Sequence, residues 1–286
     1  MNNKNTIPLQ ILSLYLIWGF TWVVMRFVSG HANPSVIVFI RLLLSTLIAF
    51  VLCFLKGKIL PKASQLPYIA ASGFLLMFLH HLFTQTGTGH LGSGLSAVID
   101  YTMPLWVTII AGLTIGESLS LRKMLGVLFS IAGLIVFMRI TQPEDTRYIF
   151  LVLLAAISWA VSNVIVRAKL KDCDPLVCTT WHLVFGTICL AVNLAFRKDN
   201  YLELTPSVIA GILYLCVFTT ILGFFLWNNI LRQVEASFAS IAIMGVPVVG
   251  VVLGALFFQE SLSMMNLIGF AMILLGVLTA LTEKKE

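Results

Sequence analysis

Seven stretches of this chain, residues 5–25, 63–99, 148–166, 175–196, 204–231, 236–259 and 261–282, contain no Asp, Glu, Lys or Arg. A helix needs about 20 such residues to cross the hydrocarbon core of a bilayer, and no soluble fold has interior enough to hide seven of them. Composition agrees: 59% of the residues are hydrophobic and 10% charged, against about 25% charged in a soluble domain, and the mean hydropathy is +1.00. The runs are continuous and do not alternate in polarity every other residue, which excludes a transmembrane β-barrel. The first run ends in Trp22, Val23, Val24 and Met25 with no small-residue cleavage site, so it reads as a retained helix and not as a signal peptide. The chain reads as an all-α integral membrane protein.

The formal net charge of +6 does not point to nucleic acid, because the basic residues stand singly or in twos and threes between apolar runs, as in loops at a membrane surface. Cys53, Cys178, Cys189 and Cys216 lie within apolar runs and Cys173 in a short loop. Without a CxxC or a Cys/His ligand spacing they imply neither a disulfide framework nor a metal, and no cofactor is expected.

Dividing the runs at Pro, Gly and charge clusters predicts ten transmembrane helices near 7–28, 34–55, 66–87, 92–115, 120–138, 147–168, 175–196, 206–229, 236–258 and 263–281. The turn inside the run 63–99 is expected among Thr86, Gly87, Thr88, Gly89, His90 and Gly92. An internal repeat accompanies them. Trp18, Arg26, Pro34 and Arg41 are spaced by 8, 8 and 7 residues, and so are Trp159, Arg167, Pro175 and His182, 141 residues later. Pro104, Glu117, Gly126 and Gly133 match Pro247, Glu260, Gly269 and Gly276 with spacings of 13, 9 and 7 at an offset of 143. Eight positions in register read as duplication, with a first five-helix repeat in 1–140 and a second in 141–286. Two copies with an odd number of spans must face opposite ways, so the expectation is two inverted five-helix repeats.

Short-loop Lys and Arg set the orientation. Twelve lie on one side (Lys4, Lys56, Lys58, Lys62, Arg122, Lys123, Arg167, Lys169, Lys171, Arg232, Lys284 and Lys285). Five lie on the other (Arg26, Arg139, Arg147, Arg197 and Lys198), with Arg41 inside a helix. Both termini are therefore expected in the cytoplasm.

Ionisable residues at membrane depth cost on the order of 2.5 to 3.5 kcal/mol on insertion scales and usually face the bundle interior or a cavity. Arg41 is placed roughly 10 Å and Asp100 about 12 Å below the outer surface by the helical rise, and His80 and His81 share that layer. Either Arg41 and Asp100 bind a small polar solute, Arg41 taking a carboxylate or phosphate and Asp100 an amine or a proton, or they pair with each other and lock two helices. Adjacent histidines point about 100° apart on a helix, so one of them faces the cavity, and His81 is preferred for the substrate. Asp100 and His80 are the candidates for proton coupling.

On the first helix Tyr15, Trp18 and Trp22 share one face, as ordinary packing or as an aromatic wall for the substrate. Trp159 and Asn163 form the counterpart on the sixth helix, and His182, the repeat partner of Arg41, makes a second polar station in the inner half. Glu117 and Glu260 are expected to cap the helix that follows each, through Ser118, Ser120, Ser261 or Ser263. Gly126, Gly133, Gly269 and Gly276 assign the fifth and tenth helices to close packing or to a homodimer contact. Pro104 and Pro247 are read as kinks on which one half rocks against the other.

This ordered set resembles the drug/metabolite transporter superfamily, specifically its ten-helix members built from two EamA-type repeats. The marks are Trp18-Gly19, Pro34, Arg41, Ala97 with Pro104, Gly116-Glu117 and Gly126 with Gly133, and their second-half echoes are Trp159, Asn163, Arg167, Pro175, Pro247, Glu260, Gly269 and Gly276. The resemblance implies a secondary transporter with a central cavity between the repeats, alternating access, and small metabolites as substrates, often moved outward. Opposite charges at one depth beside aromatics favour an amino acid or related zwitterion. The competing reading is efflux of hydrophobic cations or drugs, which would use the aromatic face and Asp100 while Arg41 opposed it. An intramembrane enzyme is disfavoured, with no HExxH, no GxSxG and no second intramembrane Asp for an aspartyl dyad. The short loops and tail suit a prokaryotic inner membrane, with the lipid bilayer and a small molecule as the partners.

Overall fold

A computed structural model describes residues 6–117, 120–138, 146–198, 200–258 and 263–281. In chain order the helices are α1 (Ile7–Ser29), α2 (Pro34–Leu55), α3 (Ala63–Leu91), α4 (Ser93–Ile115), α5 (Leu121–Met138), α6 (Thr146–Lys169), α7 (Pro175–Ala195), α8 (Pro206–Gln233), α9 (Ala236–Phe258) and α10 (Met264–Leu281). Among the described residues eight of these, all but α5 and α10, are long and apolar enough to span a membrane. Glu260, Arg139, Ser118 and Ser261 lie outside the described residues, as do Lys4, Lys284 and Lys285 near the termini.

Local sequence explains where the helices start. Asn33 caps α2 by accepting the Ser35 amide at 3.1 Å, and Asp174 caps α7 by accepting that of Leu176 at 3.0 Å. Each cap is followed by a proline, Pro34 or Pro175, whose fixed φ and missing N–H suit the first helical position. These two starts are 141 residues apart, like the repeat itself.

Of the expected turn residues 86–92 only the last, Gly92, breaks the helix. Gly87 and Gly89 stay helical, because their bare backbones allow close approach to Val152 and Ser29, and the helix stops only at Gly92, where φ is +86°. Helices α4 and α9 are both interrupted midway. Regular helix stops at Asp100 and resumes at Met103, then stops at Ala242 and resumes at Val246, so Pro104 and Pro247 each occupy the first turn of a new segment. The third irregularity is a wide turn. Phe74–His80 in α3 and Leu215–Leu222 in α8 are π-helical. Such turns shift the phase of a helix and often mark functional sites.

Packing sets α2 against α7, α5 against α10, α1 against α9 and α4 against α6. On α1, Leu9, Leu12 and Leu16 are 65%, 55% and 64% exposed while Leu14, Trp18 and Trp22 are buried, so one stripe faces outward to lipid and the other inward. The glycines of α5 and α10 serve close packing within the chain. A side chain at Gly133 would begin 2.7 Å from the Gly269 carbonyl oxygen, and Ser130 Oγ donates to the Ile273 carbonyl at 3.3 Å.

Candidate functional site

Two faces of the bundle are conveniently named by the ends of α1 and α2. At the Ser29 face, Ala32 pairs with Leu202, joining the loops after α1 and α7. At the Leu55 face, Lys58 reaches Asp174 at 3.5 Å.

A cavity lies between α1, α2, α3, α4, α6 and α8. Its floor is aromatic. Trp18 meets Trp159 edge-on at 5.6 Å between ring centroids, and both meet Trp227, at 5.7 and 6.0 Å. Phe224 lies 5.4 Å from Trp18, and Tyr101 lies 5.9 Å from Trp159. Around this floor the lining adds Trp22, Arg41, His80, His81 and Asp100. The free volume is about 40 Å³, and a single water needs roughly 10 to 15 Å³ on that scale. That is room for a few waters and less than a metabolite would occupy.

The polar groups are arranged by the wide turns. In α3, His81 Nδ1 reaches the carbonyl of Leu76 five residues back at 2.7 Å, and in α8 Thr220 Oγ1 does the same to Leu215 at 2.7 Å. Each side chain thus occupies a carbonyl that the ordinary four-residue ladder would have used. Thr220 in turn accepts from Arg41 Nε at 2.7 Å. Arg41 is 2% exposed, and its two terminal guanidinium nitrogens have no hydrogen-bond partner among the described residues.

Asp100 is 1% exposed and interacts through Oδ2 with His80 Nε2 at 3.1 Å. His80 Nδ1 is 3.5 Å from His81 Nδ1, which must carry a proton to donate to Leu76. One assignment satisfies this set: His80 is protonated on Nε2, which donates to Asp100, and its Nδ1 lone pair faces His81. Two atoms of the lining are then left over. Asp100 Oδ1 and Trp159 Nε1 are buried without a partner, a combination native proteins seldom leave without a functional reason.

Several expectations change here. Arg41 and Asp100 share the cavity but form no ion pair with each other, because His80 and Thr220 take their inner atoms. Both histidines line the cavity, not one, since the wide turn breaks the regular angular step on which that choice rested. Tyr15 lies away from the lining, its hydroxyl donating to the Ala242 carbonyl freed by the break in α9. Asn163 accepts from Trp227 Nε1 at 2.9 Å, which orients the floor from behind. His182 is bound to Ser72 Oγ at 2.7 Å and packs over Gly73, so it joins α7 to α3 outside the cavity. Thr21, Met25, Thr84 and Thr219 complete the lining. The sequence signals none of them except by adjacency, since a lone Thr or Met in an apolar helix is ordinary.

Toward the Leu55 face the bundle is tied shut. Glu117 accepts from the amides of Ala236 and Ser237 at 2.9 and 3.1 Å and from the Ser237 hydroxyl at 2.7 Å. It therefore caps α9 across the bundle, not the helix that follows it, because Gly116 in a left-handed conformation (φ +68°) turns the chain back. Arg167 approaches Glu117 at 4.0 Å and donates to the carbonyls of Leu231 and Arg232. Lys123 pairs with Glu235 at 2.9 Å. The ends of α4, α5, α6, α8 and α9 are linked in one network.

Comparison with known proteins agrees with this architecture. The family described as the EamA-like transporter family matches residues 6–139 and again 146–282. An uncharacterized transporter of Bacillus subtilis, YoaV, is 31% identical over 279 residues, with 95% of both chains covered. A protein of Salmonella typhimurium named a probable amino-acid metabolite efflux pump is 23% identical over 281 residues, covering 93% of this chain and 91% of its own. One solved crystal structure superposes with a TM-score of 0.76 at 16% identity, covering 96% of this chain and 97% of the other, a likeness of fold.

Proposed function

The chain belongs to the EamA-like transporter family, whose members are transporters and not enzymes, and from that premise we propose that it is a secondary active transporter of a small zwitterion, an amino acid or a close relative, moved outward by alternating access. One observation carries the substrate class. A single cavity holds a guanidinium with free terminal nitrogens, an unpartnered Trp N–H and an unpartnered carboxylate oxygen, beside an aromatic floor. Arg41 and Trp159 would donate to the carboxylate of the ligand, Asp100 Oδ1 would accept its ammonium group, and Trp18, Trp22 and Phe224 would wall its side chain. The name of the Salmonella typhimurium relative supports both the substrate class and the outward direction. Proton coupling falls to the His80–Asp100 pair, because a ligand ammonium and a proton would compete for the same carboxylate.

The architecture proposed is ten spans in two inverted five-helix repeats, 1–140 and 141–286, in a cell's inner membrane with both termini cytoplasmic. Contacts between equivalent positions support it, as expected around a pseudo-two-fold axis. Thr46 and Thr187, 141 residues apart, meet hydroxyl to hydroxyl at 3.1 Å. Trp18 meets Trp159, and Ser130 meets Ile273, 143 residues on. The two π-helical segments also begin 141 residues apart. In that orientation the tied face is the cytoplasmic one.

Efflux of hydrophobic cations is the second reading, favoured by the proximity of Asp100 to three indoles and Phe224, with Arg41 against it. The deciding experiment is thermal stabilisation of the purified protein by amino acids, hydrophobic cations and phosphorylated metabolites, with Arg41→Ala and Asp100→Asn in parallel. Zwitterion-specific stabilisation lost in both variants is the expected result. Stabilisation by cations that grows in Arg41→Ala would establish the second reading instead.

A further inference from the structure

Near the Leu55 face a cavity of about 880 Å³ opens between α3, α4 and α6. It is over twenty times the volume of the central one, and none of the proposed substrate contacts reaches it. One part of its wall is apolar, with Ile110, Ile115, Val161 and Ile165, and the remainder carries Glu117, Arg167 and Glu235, with Lys169 and Lys171 at the rim. Helix α6 ends at Lys169, and from Val161 to that residue it rises roughly 12 Å, about two-fifths of the roughly 30 Å hydrocarbon thickness. The groove thus runs from the Leu55 face toward the middle of the bundle.

The repeat explains why it is open. At the positions corresponding to three of its lining residues the other half carries phenylalanine, with Phe20 for Val161, Phe27 for Ala168 and Phe257 for Thr114. There Phe20 packs on Tyr214 at 5.2 Å and on Phe257 at 5.9 Å between centroids. The same space is filled by aromatic rings on one half and left vacant by small residues on the other.

Charge selects the occupant. The two acids of the wall are engaged, Glu117 in capping α9 and Glu235 with Lys123. Both lysines are exposed. Lys169 lies over the Tyr68 ring at 5.7 Å, and Lys171 has no carboxylate partner among the described residues. Two ammonium groups without a carboxylate partner among the described residues, at the mouth of a slot with an apolar wall roughly 12 Å long, suit a phosphate head with an acyl tail. We propose that the groove holds one acyl chain of an anionic phospholipid, with its phosphate between Lys169 and Lys171.

The test uses the full-length protein in a neutral detergent, with melting temperature and native mass spectrometry as readouts. Dioleoyl-phosphatidylglycerol is compared with dioleoyl-phosphatidylcholine and with glycerol phosphate. Phosphatidylglycerol alone should raise the melting temperature by a few degrees and persist as a single adduct. Two variants should abolish that shift: Lys169→Gln/Lys171→Gln, which removes the charge, and Val161→Phe/Ala168→Phe, which gives this half the bulk the other half already accommodates. Lipid-free melting of each variant reports whether it has folded, and Lys169→Gln/Lys171→Gln alone suffices if the bulky pair has not. An equal shift with phosphatidylcholine, a shift with glycerol phosphate alone, or a phosphatidylglycerol shift that survives in folded variants would overturn the proposal. Amino-acid stabilisation at the central cavity is read separately and is expected to be unchanged in all of them.

Discussion

Asp100 places one oxygen on His80 and leaves the other without a partner at the cavity lining, and the two halves of that carboxylate predict different behaviour. Removing its imidazole partner alone leaves the buried carboxylate without its hydrogen bond, a loss of about 1.5 to 3 kcal/mol. His80→Ala should therefore lower the melting temperature severely, while adding Asp100→Asn should recover much of the loss, a coupling that a double-mutant cycle measures. Trp159 gives the opposite pattern. Its indole N–H is buried and unpartnered, a penalty of about 1 to 3 kcal/mol without ligand. Trp159→Phe keeps an aromatic ring and removes the stranded donor. The ligand-free protein should melt at the same or a higher temperature, while stabilisation by a zwitterion should fall. A fall in both would show that the indole nitrogen is not held for a ligand.

At the scale of elements, the end of one helix caps another that lies far off in sequence. Glu117 satisfies two amides and a hydroxyl at the start of α9, so opening the Leu55 face must first break charge-assisted hydrogen bonds worth about 1.5 to 3 kcal/mol each. Glu117→Ala is expected to lower the melting temperature and to raise thiol labelling of a cysteine placed at Ser237, with Glu117→Gln intermediate. Unchanged labelling would mean that this cap holds α9 in place without gating access. The α5–α10 contact is less tolerant still. Any side chain at Gly133 meets the Gly269 carbonyl oxygen and Met272 Cβ, within 2.8 Å, and overpacking costs about 1 to 3 kcal/mol. Gly133→Val should destabilise the protein measurably, and Leu128→Ala, on the exposed side of the same helix, should not.

For the whole molecule, the proposed arrangement makes a topological prediction. Single cysteines replacing Lys58 and Arg122, in a background lacking the five native cysteines, should react with a membrane-impermeant thiol reagent only after the cells are permeabilised. A cysteine replacing Lys198 should react in intact cells. The reverse pattern would invert the orientation and leave the site geometry untouched, whereas Lys58 and Lys198 labelling from the same side would end the inverted-repeat reading. In the structure the Leu55 face is tied and the central cavity has contracted to the volume of a few waters. In the proposed alternating-access cycle, α4 and α9 would separate at their midway breaks, where the backbone is already interrupted.

Much of this could be read from the residues in order, because a bilayer imposes a one-dimensional constraint. Runs of uncharged residues must be helices, and an intramembrane Arg41, Asp100 or His80 must face inward whatever the fold. Helix starts were legible at Pro34 and Pro175, and the structure adds the Asn33 and Asp174 caps that act on the neighbouring amides. Partner choice within the interior was not legible, since it depends on phase and distance between helices. The π-helical turns of α3 and α8 rotate both histidines to the cavity and deliver Thr220 to Arg41, which leaves Asp100 to His80 and removes the alternative in which Arg41 and Asp100 pair with each other. Asn163, Tyr15 and His182 carry polar atoms that any membrane helix must satisfy, and only the packed neighbours decided that Trp227, Ala242 and Ser72 would satisfy them. Sequence alone thus determined which residues cannot face lipid, a matter of transfer free energy; tertiary structure decided what each one faces instead, a matter of geometry.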